Sequence, residues 1–279
     1  MYLVTGAKGQ LGTELSKILP DAIYTDVDEL DITKLGAVMK FVKSNKIDTI
    51  INCAAYTNVD KAEDDEKLAK SINMYGISNL AKTDAKIIHI STDYVFNGKN
   101  YKPYTPLDKP NPISVYGKTK LFGENSLFWS NRNAIVIRTA WLYSPYGNNF
   151  VKTMRKLGAE KDEINVVADQ IGSPTYAADL AAAIVKIILQ MNEKNTGIYH
   201  FTNMGVCSWY DFACEIMELS GLKCKVNPIS SSEYPTRAKR PFYSVLDKSD
   251  IQKTFGIEID HWKKSLAKCI KEMDAQKTK

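Results

Sequence analysis

Tyr116 and Lys120 stand four residues apart in Val115-Tyr116-Gly117-Lys118-Thr119-Lys120, so on a helix their side chains share one face and reach one atom. A tyrosine with its ordinary pKa near 10 is a poor proton donor at neutral pH, and lowering it by about three units takes roughly 4 kcal/mol. A lysine cation about 4 Å away, at an effective dielectric of about 20, supplies that amount. The pair predicts acid–base chemistry on an oxygen. Thr92, in Ser91-Thr92-Asp93-Tyr94, adds a hydroxyl that would polarise a carbonyl while Tyr116 delivers the proton. Taken alone, a Tyr and a Lys at this spacing usually describe a solvated helix face carrying a packed ring.

A second cluster, Gly6-Ala7-Lys8-Gly9-Gln10-Leu11-Gly12, follows the apolar run from Tyr2 to Thr5. Glycines at this spacing make a tight turn, let backbone N–H groups approach a pyrophosphate and let a helix pack close to a strand. Asp26 closes the next apolar run, 20 residues after Gly6. A carboxylate there accepts from a ribose 2′-hydroxyl and repels a 2′-phosphate, which favours NAD(H) and leaves NADP(H) as the alternative. The other reading of Asp26, beside Asp28 and Asp31, is a turn or helix cap.

Something must bring these groups together. Short β-rich runs at 2–5, 22–25, 49–53, 87–91 and 134–138 alternate with helix-length segments at 10–19, 35–44, 64–83 and 116–128. This rhythm predicts an α/β fold, a Rossmann-type doubly wound parallel sheet, with Thr92 at a strand end where such sheets present their chemistry. Past Arg138 the rhythm loosens, with turn signals at Ser144-Pro145, Gly172-Ser173-Pro174, Asn227-Pro228 and Arg240-Pro241. The expected division is a dinucleotide-binding domain over 1–147, rejoined by the segment around 175–200, and a smaller C-terminal α/β substrate domain over 148–279.

Composition narrows the classes. The 279 residues are 44% hydrophobic and 25% charged, an ordinary globular balance, and a formal charge of +5 is scattered without the basic tract of a nucleic-acid binder. Five cysteines form no C-x-x-C pair, which points to reduced thiols, and His89, His200 and His261 lie too far apart for a zinc motif. The longest apolar stretch, from Ala177 to Leu189, is broken by Asp179 and Lys186 and falls short of the roughly 20 residues of a membrane span. Met1 leads directly into the first strand, without a signal-peptide pattern, so the expected location is the cytoplasm.

The glycine triplet, the strand-end Thr92 and the Tyr116/Lys120 pair, with Asp48-Thr49-Ile50-Ile51-Asn52-Cys53-Ala54-Ala55 and Ile72-Asn73-Met74-Tyr75-Gly76, resemble the extended short-chain dehydrogenase/reductase family. Three further motifs are similar to the branch that reduces 4-keto-6-deoxy sugar nucleotides: the segment from Ala55 to Glu63, Arg138-Thr139-Ala140-Trp141, and the segment from Asp169 to Thr175. The resemblance implies reduction of the C4 ketone of dTDP-4-dehydro-6-deoxy-L-mannose to dTDP-L-rhamnose, with Thr92, Tyr116 and Lys120 as the catalytic set. It implies a dinucleotide held by Gly6, Gly9, Gln10, Leu11, Gly12, Asp26, Asp31, Ile32, Ala55, Tyr56 and Thr57 together with Tyr116 and Lys120. Thr57, Thr92, Tyr94 and Trp141 would surround the sugar, and Arg237 and Arg240 would grip its diphosphate unless they are solvated surface charges. No metal is assigned, although Glu14 matches one carboxylate of a divalent-ion site between subunits in some relatives. Helices near 64–83 and 116–128 pair across a homodimer in many of them. The alternatives left open are an epimerase that retains its NAD and a non-catalytic dinucleotide-binding regulatory subunit; dehydration is unsupported, because Tyr94 stands where related dehydratases carry a glutamate.

Overall fold

Six short runs line up as one all-parallel sheet: β1 (Tyr2–Thr5), β2 (Ile23–Thr25), β3 (Thr49–Asn52), β4 (Lys86–Thr92), β5 (Ala134–Thr139) and the strand Gly197–His200. Their spatial order is Gly197–His200, β5, β4, β3, β1, β2. The computed structural model describes residues 1–131 and 133–277. The first five strands lie where the β-rich runs predict them, and the order reverses beside β1, which opens a crevice at the carboxyl ends.

Alternation along each strand sorts the core into two layers. Val4, Ile51, Ile88, Ile135 and Ile137 face α1 (Gln10–Ile18) and the helix Ala177–Gln190. Leu3, Ile50, Ile87, Ala134 and Val136 face α2 (Leu35–Ser44), the helical turn Ile77–Ala81 and the helix Val115–Ser130. Burying one such aliphatic side chain contributes about 1.5–3 kcal/mol. The apolar stretch after Ala177 is thus a sheet-covering helix, and no described helix is long and apolar enough to cross a membrane.

The helix expected over 64–83 is instead built in pieces. Val59–Ala62 ends first, Asp65 caps Glu66–Lys70, a π turn runs over Ser71–Gly76, and Ile77–Ala81 completes the run. The wider turn carries Asn73, fully buried, whose amide accepts from the Tyr56 N–H at 2.9 Å and donates to the Tyr56 carbonyl at 3.1 Å and the Thr119 hydroxyl at 3.1 Å. A 3.6-residue periodicity does not disclose a single wide turn.

Three further helices, Phe150–Glu160, Trp209–Leu219 and Trp262–Lys277, enclose a second core around Phe212, Ile216, Trp262 and Leu266, beside the parallel pair Glu163–Val167 and Lys225–Ile229.

The helix Val115–Ser130 starts at Ser114, whose hydroxyl accepts from the Gly117 N–H at 3.1 Å. One turn beyond Lys120, Glu124 meets Arg138 of β5 in a fork: Nε donates to Oε1 at 3.0 Å and Nη2 to Oε2 at 2.6 Å, with both side chains 1% exposed. The Ser91 hydroxyl of β4 donates to the same carboxylate, and the guanidinium lies 5.1 Å from the Phe96 ring centre. Arg138→Met leaves that carboxylate buried and unpaired, so urea unfolding should show a loss of about 3–5 kcal/mol. Adding Glu124→Leu to it should restore most of the loss, because two matched apolar groups carry no uncompensated charge.

Candidate active site

At the end of β1 the chain turns through Gly6 with φ of +70°. A Cβ there would lie 2.6 Å from the Ala54 nitrogen, and one at Gly12 would lie 2.5 Å from the Gly6 carbonyl oxygen. Both positions exclude any side chain, and the space kept clear lies against the N-terminus of α1, where backbone N–H groups suit a diphosphate. Asp26, at the end of β2, accepts from the Lys8 N–H at 3.0 Å and the Val27 N–H at 2.8 Å. It caps the turn, as its second sequence reading has it, and also borders the crevice. Asp31 is tied to Thr33 through N–H (2.9 Å) and hydroxyl (2.6 Å), bonds that hold its carboxyl below the usual range.

One cavity of about 810 Å³ runs over the carboxyl ends of the strands. Gly6, Gly9, Gln10, Leu11, Gly12, Asp26, Asp31, Ile32, Ala55 and Thr57 line it together with Thr92, Tyr94, Tyr116, Lys120, Trp141 and Arg240. Two predicted residues stand outside that lining. Tyr56 is turned away, its backbone clasped by Asn73. Arg237 is exposed and forks onto Asp64 with Nε at 3.1 Å and Nη2 at 2.7 Å. Arg240 does reach the cavity; its Nη2 donates to Asp60 at 2.8 Å and its buried Nε has no partner. Asp60 also accepts from the Ala238 N–H at 3.0 Å, so the two acidic residues strap the arginine loop to the nucleotide-binding side.

The electrostatics depart from expectation at Tyr116. Burial pushes its hydroxyl up rather than down, the charges of Asp93 and Tyr94 push the same way, and only a hydrogen bond with Thr92 opposes them. Lys120 does not aim its charge at the phenol. Its amine donates to the Ile90 carbonyl at 2.6 Å and lies 3.4 Å from His89 Nε2, and burial lowers it to about 8. The reason is geometric: the side chain is drawn to a strand carbonyl beneath the helix.

Asp93, Trp209 and Cys53 also line the cavity, though the sequence reading passed over them. Asp93 is 2% exposed, accepts from the Thr92 hydroxyl at 3.0 Å and is pushed by burial to about 6. Its signal was present beside Thr92. Trp209 stacks on Trp141 with centroids 3.6 Å apart and planes at 12°, and Trp141 holds a left-handed backbone at φ of +50°. Nothing in the sequence pairs those two rings. Burial raises the Cys53 thiol to about 12, which keeps it protonated. Glu14 is buried with its carboxylate taken by Lys17, whose amine also meets Glu272 at 2.9 Å. Among the described residues no three acidic, His or Cys side chains cluster where they could hold a metal ion.

Fold and cavity together define a dinucleotide-dependent oxidoreductase of the short-chain dehydrogenase/reductase class. The chain belongs to the family described as the RmlD substrate binding domain, whose model matches residues 1–275. It is 43% identical to the dTDP-4-dehydrorhamnose reductase of Aggregatibacter actinomycetemcomitans, over 95% of this chain and 96% of that protein. The crystal structure of a dTDP-4-dehydrorhamnose reductase from Clostridium acetobutylicum superposes with a TM-score of 0.94 at 48% identity, covering 98% of this chain and 99% of that one. The Bacillus anthracis dTDP-4-dehydrorhamnose reductase in complex with NADP gives a TM-score of 0.94 at 41% identity, covering 97% and 98%.

Asp26→Ala removes the cavity-lining carboxylate that the sequence assigns to a ribose hydroxyl. Dissociation constants from nicotinamide fluorescence titration should weaken more for NADH than for NADPH. Equal weakening of both would detach Asp26 from the ribose.

Proposed function

We propose that this chain reduces the C4 ketone of dTDP-4-dehydro-6-deoxy-L-mannose to dTDP-L-rhamnose with NADPH or NADH, in the cytoplasm. The observation that carries the reading is the single cavity shared by the glycine cradle and by Thr92, Tyr116 and Lys120. The reductase names of its relatives, and the NADP bound to one of them, support the reaction and the cofactor.

Gly6, Gly9 and Gly12 would hold the diphosphate of the dinucleotide, and Asp26 its ribose. When bound, the reduced nicotinamide supplies a hydride to C4. Tyr116 gives its proton to the oxygen on which charge develops. A phenol raised by burial remains fully protonated at neutral pH, and an alkoxide is a far stronger base than a phenolate, so the transfer runs downhill.

Thr92 has one proton to give. While it goes to the Asp93 carboxylate, the Thr92 oxygen is an acceptor toward Tyr116; with Asp93 protonated, the same hydroxyl is free to donate to the ketone. Lys120 has three N–H donors, of which Ile90 and His89 occupy two and a ribose hydroxyl would take the third. Trp141 and Trp209 form an apolar wall suited to a deoxysugar, and Arg240 would meet the diphosphate.

Absorbance at the nicotinamide band tests the reading directly. dTDP-4-dehydrorhamnose should oxidise added NADPH or NADH, whereas turnover without added reductant would mark a cofactor-retaining epimerase. Tyr116→Phe should bind cofactor normally and lose about a hundredfold or more in kcat. The reading extends to a homodimer, supported by exposed Leu68, Tyr75, Phe122 and Trp129 along the helical run from Glu66 and the helix Val115–Ser130. Sedimentation should give twice the chain mass of 31.3 kDa, falling toward one chain in Phe122→Glu/Trp129→Glu.

A further inference from the structure

Thr5, Asn52 and His89 occupy one row across β1, β3 and β4, since Thr5 is in register with Asn52 and Asn52 with His89. The residues two positions earlier on the same strands, Leu3, Ile50 and Ile87, are apolar and buried. The three polar side chains are 0–2% exposed and joined end to end. The Thr5 hydroxyl meets Asn52 Oδ1 at 2.6 Å, Asn52 Nδ2 meets His89 Nδ1 at 2.9 Å, and His89 Nε2 faces the Lys120 amine at 3.4 Å. None of the side-chain atoms in this row lacks a partner, and neither Asn52 nor His89 lines the cavity.

Leaving a buried polar group unpaired costs about 1–3 kcal/mol, so a polar row in an apolar layer requires a physical reason. We propose that His89 is a positioning residue for Lys120, holding its amine on β4 through a hydrogen-bond ladder with Asn52 and Thr5 that is satisfied in two opposite directions.

In one direction the Thr5 hydroxyl donates to Asn52, the Asn52 amide donates to Nδ1, and the Nε2 proton points at an uncharged amine. In the other the ammonium donates to Nε2 and the Asn52 amide turns over, giving up its 3.4 Å contact with the Ala54 carbonyl, so that its oxygen accepts from Nδ1–H and its nitrogen donates to the Thr5 oxygen. The imidazole stays neutral in both, as its burial and the neighbouring Lys120 charge dictate. Neutral His89 can therefore follow Lys120 through loss of its proton without leaving a buried donor facing a donor. The titratable groups coupled to Lys120 are Glu124 from its own helix, Cys53 just past β3 and His89 from β4, while Tyr116 stands one turn earlier and lines the same cavity. Glu124 supports the charge, while burial lowers the amine to about 8, within working range.

The inference rests on the reductase reading for its kinetic arm alone. Because the chain has only three histidines, a ¹⁵N-histidine spectrum of the intact protein without substrate resolves His89. Its ring should remain neutral from about pH 5 to 9 and move its proton from Nδ1 to Nε2 as Lys120 titrates. A ring that turns cationic near its ordinary pKa of about 6.5, or that keeps one tautomer throughout, overturns the proposal. In the reductase assay, His89→Leu removes an acceptor for the ammonium and should lower kcat about tenfold. It should also move the basic limb of the kcat profile to lower pH, while His89→Gln, which returns an acceptor, restores both. An unchanged profile, or a loss uniform in pH that Gln does not repair, overturns it. Should His89→Leu fail to fold, the histidine spectrum decides alone. Should the sugar nucleotide prove not to be a substrate, a tautomer change in step with Lys120 still sustains the ladder.

Discussion

The buried pairing of Glu124 with Arg138 fixes everything else in the cleft. It is the one full charge pair sealed inside the sheet–helix layer among the ion pairs of the described residues, both members being 1% exposed. Because Tyr116, Lys120 and Glu124 recur at one-turn spacing, clamping the third sets the rotation of the helix about its axis and hence the aim of the first two. Strand β4 answers with its own period: His89 meets Lys120 and Ser91 meets Glu124, two residues apart on one face. Helical and strand periodicities thus coincide over two contacts, which is all the register the chemistry requires. Such a pair adds little net stability compared with apolar groups of the same shape, but it forbids any packing in which either charge lacks the other.

The parallel sheet, the glycine turn and the residues at strand ends were legible in the sequence, because each expresses itself locally. Gly6 and Gly12 are dictated by backbone clearances of a few ångströms, Thr92 by its place at the end of an apolar run, and Tyr116 with Lys120 by a four-residue step. What escaped notice depends on chain segments that meet only in the fold. Trp209 matters because it lies on Trp141, and Arg237 stands outside the cavity lining, paired with Asp64. Tyr56 looked like its neighbours Ala55 and Thr57, yet a wide helical turn places Asn73 where it holds that residue by its backbone. The direction of the shift at Tyr116 was missed for a related reason: spacing states that a lysine can reach a tyrosine, not that a nearer carbonyl will claim the amine.

Burial acts in opposite senses on the charge of two neighbours, keeping Tyr116 protonated and lowering Lys120 to about 8. In the proposed reduction the first would be in the right state to give a proton and the second would sit near the point where it exchanges one. Asp93, held near 6 and bonded to Thr92, adds a third group whose protonation state decides which way one hydroxyl points. The site is therefore tuned less by attraction between neighbours than by how much water each group has lost.

The strand Gly197–His200 completes the edge of the sheet beside β5, although the chain has by then built part of the second core. During synthesis the nucleotide-binding half cannot close its hydrophobic layer until that late segment has left the ribosome. An N-terminal fragment ending near residue 150 would expose the bare edge of β5, a template for unwanted strand pairing. The order of the strands thus ties the edge of the sheet to a segment far along the chain, a long-range pairing of the kind that slows folding.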